Sequence, residues 1–330
     1  MRHSAALRTS LAALAGVSLL LTACSSGGGQ PAPSGTATDD GVVDVVASTN
    51  VYGDIAAVIG GDKVNVTSII TKTSQDPHSY EATAQDRLLV SKAELVIQNG
   101  GGYDGFLEKM AADSNIGQDK ILTAVEVAGL AEEEGHQEPS PAEGESAEEH
   151  AGHAEFNEHA WYSLDAMSKL ADSVAAKLGE LEPGSAARFT ANAATFKAGV
   201  DGLNAKLAGI KANASGSPVA VTEPVPVYLL EAAGLENRTP EDYTAAIEED
   251  SDVPPAALKA ATDLAGSSEI KFLAYNEQTE GPQTEALKKA AEAAGVPVID
   301  FSETLPEGKT YLQWMTDNVD NISKVLETNS

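Results

Sequence analysis

One cysteine in 330 residues, Cys24, excludes any intrachain disulfide, so the fold must rest on its apolar core. Positive charge is scarce as well: 21 Lys and Arg stand against 50 Asp and Glu, for a formal net charge of −29. A surface of that sign repels phosphate and gathers cations. Neither a Walker-type nor a Gly-x-Gly-x-x-Gly phosphate loop is expected, there is no basic stripe, and no nucleic acid is expected as a partner. The apolar run near the N-terminus is too short for a comfortable membrane span. Histidine is rare too, at six residues.

What is there begins with an address. "MRHSAALRTSLAALAGVSLLLTAC" carries Arg2 and Arg8, then an apolar run, then small residues before Cys24. That is the layout of a secretory signal peptide, residues 1–23. Leu21-Thr22-Ala23-Cys24 resembles the lipobox of bacterial lipoproteins, which implies cleavage before Cys24 and a lipid on its thiol. The membrane is thus a partner through the anchor, and the chain is expected on the extracytoplasmic face of a bacterial cell membrane. Residues 24–41, rich in Gly, Ser, Pro and Thr, read as a flexible tether. Cleavage leaves 307 of the 330 residues and takes the net charge from −29 to −31, because the leader holds two arginines and no acid.

Past the tether, short β-branched runs alternate with helical patterns. "VDVVAST", "VNVTSII", "ELVIQNG" and "ILTAVEV" read as strands of a parallel sheet. A second series, "SPVAVT", "EIKFLAYN" and "VPVID", starts near residue 218. The fold class is α/β, with two parallel-sheet lobes, residues 42–182 and 214–330. Between them, residues 183–213 place Phe189, Ala193, Phe196, Val200, Leu203, Leu207 and Ile210 at alternating spacings of four and three. Pro183 suits a first helical turn. This is one stiff connecting helix of roughly 45 Å, long enough to run beside both lobes.

Residues 131–158 fit neither pattern: ten glutamates and three histidines, with no Lys or Arg. Such a stretch cannot bury a core. It is either a solvated acidic loop or, through His136, His150 and His153, a weak gatherer of divalent cations.

The two remaining histidines of the mature chain have similar settings. "DPHSY" puts His78 after a turn-forming Asp-Pro, and "NEHAW" puts His159 just before a helical pattern that starts near Leu164. Each has an aromatic two residues on, Tyr80 and Trp161, expected to wall its ring from water. A transition metal held by protein alone takes about four ligands. With cysteine spoken for, carboxylates must complete the set: Glu223 follows one strand of the second lobe, and Asp300 and Glu303 follow its last. In open α/β sheets, ligands bind at the carboxyl ends of strands.

Taken in order, "DPHSYEAT", "NEHAWYSL", "TEPVPVYLLEAAGL" and "VPVIDFSETLPEG" resemble the zinc/manganese solute-binding lipoproteins of ABC importers, the ZnuA/TroA-like group. The resemblance runs from about Val43 to Leu326. It implies a metal between two lobes joined by one long helix, with His78, His159 and Glu223 as ligands. The third ligand is histidine in many zinc members and glutamate in manganese members. The fourth, an aspartate in a short turn of that family, falls on Glu303 in Ser302-Glu303-Thr304-Leu305, with Asp300 in reserve. The ligand carried is Zn2+ or Mn2+: the histidine-bearing acidic loop points to zinc by a narrow margin, and Glu223 to manganese. The implied partner is the permease of a metal importer, the chain acting as a monomer without catalysis. Two alternatives use the same residues: a metal-dependent hydrolase with a water in an open position, and a metal-buffering or adhesin lipoprotein without a transporter.

Overall fold

The computed structural model describes residues 41–130 and 157–328. The leader, Cys24, the tether up to residue 40 and residues 131–156 of the acidic segment, with His136, His150 and His153, lie outside the described residues.

The first lobe alternates strand and helix. Its strands are β1 (Val43–Thr49), β2 (Val64–Ile70), β3 (Leu95–Gln98) and β4 (Ile121–Thr123), and its helices are α1 (Asn50–Gly60), α2 (Ala84–Val90), α3 (Gly105–Asp113), α4 (Ala124–Ala128) and α5 (Leu164–Leu181). All four strands run parallel in the order β2-β1-β3-β4. β1 is paired on both sides and, past the exposed Asp44, buried on both faces, which is why its Val45–Thr49 stretch does not alternate apolar with polar-exposed positions.

After α6 (Ala186–Ala214) comes the second lobe: β5 (Pro218–Val221), α7 (Val227–Ala232), β6 (Glu236–Asn237), α8 (Glu241–Glu248), α9 (Pro255–Ala265), β7 (Leu273–Asn276), α10 (Pro282–Ala294), β8 (Val298–Phe301) and α11 (Tyr311–Thr328). Its order, β6-β5-β7-β8, is the same pattern repeated, again all parallel. Each sheet therefore reverses its winding direction beside its central strand, between β1 and β3 and between β5 and β7. The carboxyl ends at such a switch point open a crevice.

Three clusters of buried side chains hold the layers. One runs through both lobes and takes in α1, α5, α6 and α11; the other two lie on the far face of each sheet. The seven apolar positions that mark the connecting helix in the sequence are the seven buried residues of α6. Burying a side chain such as Phe189 or Leu203 contributes about 2 kcal/mol. α6 packs on α1 and α5 from the first lobe and on α7 and α11 from the second, so it stiffens both.

Two details differ from the sequence expectation. "ILTAVEV" is strand only to Thr123; its second half becomes α4, because Ala124, Val125 and Ala128 bury at helical spacing. The long helix starts at Ala186, after a 3-10 turn at Pro183–Ser185. No helix among the described residues is long and apolar enough to cross a membrane.

Candidate metal-binding site

His78 sits on the connection between β2 and α2. Asp76 shapes it: its carboxylate accepts from the His78 backbone N–H at 2.9 Å and from the Ser79 hydroxyl at 2.7 Å. This Asx turn, ahead of Pro77, lifts the imidazole off the backbone. The expected wall, Tyr80, is elsewhere. Its ring meets Phe106 and its hydroxyl donates to Asp86. The ring edge-on to His78 belongs to Tyr103, with centroids 5.1 Å apart.

His159 precedes a 3-10 turn leading into α5, and here the expected neighbour is present. Trp161, buried, lies edge-on at 5.1 Å. Tyr103 also reaches this ring, at 6.1 Å, and so backs both histidines. Asn157 sets the second imidazole. Its Oδ1 accepts from the His159 backbone N–H at 3.1 Å and lies 2.8 Å from Nδ1. Its Nδ2 donates to the Pro224 carbonyl at 3.1 Å, which fixes which end of the amide is oxygen. Nδ1 is thereby assigned as the protonated nitrogen, leaving the Nε2 lone pair for a ligand.

The second lobe contributes from strand ends. Glu223 follows β5 and Glu303 follows β8, both buried. Between them stands Asn276, the last residue of β7, whose Nδ2 donates to Glu223 Oε2 and, at 2.8 Å, to Glu303 Oε1. The Thr279 hydroxyl donates to Glu223 Oε2 at 2.7 Å. Glu303 Oε2 is buried without a hydrogen bond of normal geometry, although the Tyr103 hydroxyl is near enough to bear on its ionisation. Asp300 points away, exposed and 3.7 Å from Lys288 Nζ.

His78, His159, Glu223 and Glu303 thus line one cleft of about 650 Å³. Asp76, Glu248 and Glu280 also line it, so its mouth is acidic. A larger cavity, about 840 Å³ between α6 and α11, holds none of these donors. Glu158, in sequence only the last glutamate of the acidic segment, has its Oε1 3.3 Å from His78 Nε2. Donor atoms of His78, Glu158 and His159 fall within 4.8 Å of one another, a group that does not extend to Glu223 and Glu303. Only its place beside His159 could have marked Glu158 in the sequence.

Burial dominates the proton equilibria. It pushes Glu223 up to about 7, against the lowering effect of its Asn276 and Thr279 bonds. Burial, then the nearby Glu223 charge, pushes Glu303 up to about 8. His159 is pulled down to about 3 by burial and then by His78. His78 is lowered by burial, partly offset by Asp76. In the protein without metal, the imidazoles are neutral and the carboxyls share protons near neutral pH.

Contrary to the expectation that no such motif is present, Gly100, Gly102 and Gly105 have a Gly-x-Gly-x-x-Gly spacing. It links β3 to α3, but it is no phosphate cradle. The Asp104 carboxylate accepts from the Asn99 and Gly100 N–H groups at 2.6 and 2.9 Å, filling the turn from within.

Two parallel-sheet lobes, a shared long helix and buried donors at facing strand ends define a two-lobed binding-protein fold. The profile described as "Zinc-uptake complex component A periplasmic" (ZnuA) matches residues 45–325, and the chain belongs to that family. Among its relatives, the manganese ABC transporter substrate-binding lipoprotein scaA of Streptococcus gordonii is 25% identical over 327 residues, covering 93% of this chain and 94% of its own. Two solved structures share the fold. The periplasmic zinc binding protein TroA of Treponema pallidum superposes with a TM-score of 0.68 at 21% identity, over 87% of this chain and 99% of its own. FpvC of Pseudomonas aeruginosa, in complex with Mn2+, gives 0.67 at 22% identity, over 88% and 100%.

Proposed function

We propose that this protein captures a divalent transition metal outside the cytoplasm and hands it to the permease of an ABC importer. A lipid on Cys24 would hold it at the membrane. His78, His159, Glu223 and Glu303 are the proposed ligands. The observation that carries this is the meeting of two neutral imidazoles and two buried carboxylates in one acidic cleft, with no lysine or arginine lining it. Carboxylates buried that deeply are costly unless a cation or proton compensates them. The relatives' names as transporter substrate-binding lipoproteins support a carrier over a hydrolase.

The cargo on this reading is zinc, which two imidazoles and two carboxylates hold in a four-coordinate site. Manganese is the second reading, and Glu158 favours it. A third carboxylate beside the histidines raises the oxygen share of the donor set, which suits a harder cation of higher coordination number. Metal content of the protein isolated from its own host, with transcript response to starvation for each metal, tests the choice. Zinc in the protein and induction on zinc depletion are expected. Manganese content and induction only by manganese depletion would reverse it.

A further inference from the structure

We infer that Glu158 is a metal-binding residue and that His78, Glu158 and His159 form a three-donor site on the first lobe. This rests on the reading of the chain as a metal carrier and adds a ligand to it. The three donors lie within 4.8 Å of one another, near enough to close on one cation with small side-chain shifts, whereas Glu223 and Glu303, both tied to Asn276 Nδ2, lie outside that group.

Glu158 is placed by more than chance. Its backbone carbonyl accepts from Asn99 Nδ2 at 2.8 Å, which fixes the residue against the loop after β3. On that loop Gly102 has φ +103°, and a Cβ there would lie 3.2 Å from Glu158 Oε2. A side chain at 102 would crowd the carboxylate; glycine leaves it room beside His78. Asn157 Oδ1 accepts from His159 Nδ1–H, which leaves the Nε2 lone pair for the metal. Two imidazoles and one carboxylate are a sufficient protein set for a first-row divalent ion, with water at the remaining position. A cation can therefore rest on the first lobe before Glu223 and Glu303 exchange their bonds from Asn276 for the metal.

Co2+ is the probe, because its visible absorption bands report coordination and its affinity is read from the same titration. Four full-length proteins are compared: wild type, Glu158→Gln, the double variant Glu223→Gln/Glu303→Gln, and the triple variant carrying all three changes. Gln keeps the shape of residue 158 and leaves its backbone bonds intact, and the loop histidines are common to all four. The double variant should still bind one Co2+ with visible bands, and the triple variant should bind it on the order of ten-fold more weakly or not at all. Glu158→Gln alone should weaken binding on the order of ten-fold and shift the bands. Double and triple variants that behave alike, or Glu158→Gln with wild-type affinity and spectrum, would overturn the inference while the carrier reading stands. A wild type that takes up no Co2+ sinks both.

Discussion

Asn50 and Leu305 join the two lobes by a reciprocal pair of hydrogen bonds. Asn50 Nδ2 donates to the Leu305 carbonyl at 2.8 Å, and the Leu305 N–H donates to Asn50 Oδ1 at 2.9 Å. Asn50 opens α1 in the first lobe; Leu305 lies two residues past Glu303 in the second. The Tyr162 hydroxyl adds a bond of 2.8 Å to the Ser302 carbonyl, so both sides of Glu303 are held from the opposite lobe. Gln278 Oε1 accepts from the N–H groups of Glu303 and Thr304, at 2.6 and 2.9 Å. The segment bearing this carboxylate is a fixed strut.

Asn50→Ala should therefore cost about 1–3 kcal/mol, because it strands both polar groups of Leu305. Chemical denaturation of the metal-free protein measures this. Metal affinity should fall less than on loss of a ligand, since Tyr162 and Gln278 still hold the turn. An unchanged unfolding midpoint would show that the pair contributes nothing to holding the lobes together.

Replacing either proposed imidazole ligand should be far more severe for binding. His78→Ala or His159→Ala should weaken the tight site by on the order of 100-fold or more, since positioning residues around a metal already account for 10–100-fold. His136→Ala, in the acidic segment, should leave that site intact. Titration calorimetry on the three variants separates them, and equal losses from all three would merge loop and site.

How much of this is legible in the sequence depends on how local the cause is. β3 announces itself by the apolar run Leu95-Val96-Ile97, and β1 by Val43, Val45 and Val46, because strands buried on both faces favour β-branched and apolar residues at successive positions. α6 is legible because its seven buried positions keep a helical period over 29 residues. His78 and His159 stand out by rarity and by the turns before them. Tyr103, Asn276 and Glu158 do not, because each acquires its role from a partner distant in sequence or from the path of another loop. The misplacement of Tyr80 has the same root: two residues of spacing says which residue is near in chain, not which ring Phe106 will capture. The family resemblance puts Glu303 ahead of Asp300 but leaves both open; in the fold one turns into the cleft and the other toward Lys288.

Asn276→Leu removes the donor shared by Glu223 and Glu303 and leaves an apolar group between them. At about pH 9.5, above the folded values of about 7 and 8 so that both carboxyls are largely ionised, the metal-free protein should lose about 1–3 kcal/mol of stability. At pH 5 the carboxyls are protonated, can donate for themselves, and the loss should be smaller. Metal affinity should drop about 10–100-fold as the pair loses its orientation. Denaturation at the two pH values tests this; an equal loss at both would mean that Asn276 serves packing alone.

Burial of the site moves the pH dependence of metal binding away from where the histidines alone would put it. Two unburied histidines would make metal affinity fall through the range where imidazole protonates. In the folded protein His159 is held down at about 3, so it is already neutral at any pH of interest. The carboxyls titrate instead, with Glu223 at about 7 and Glu303 at about 8 against an ordinary value of 4.5. Because these folded values lie above the unfolded one, their contribution to the stability of the metal-free protein is fully present below pH 4.5 and is lost as pH rises through about 7 to 8. Metal binding requires the same groups deprotonated, so it should release protons at pH 7 and weaken as pH falls below about 8. Metal titrations in buffers of different ionisation enthalpy count the protons released. Release that diminishes in Glu303→Gln is the expected result. No release at pH 7, with affinity falling only below pH 6, would return control of the site to the histidines.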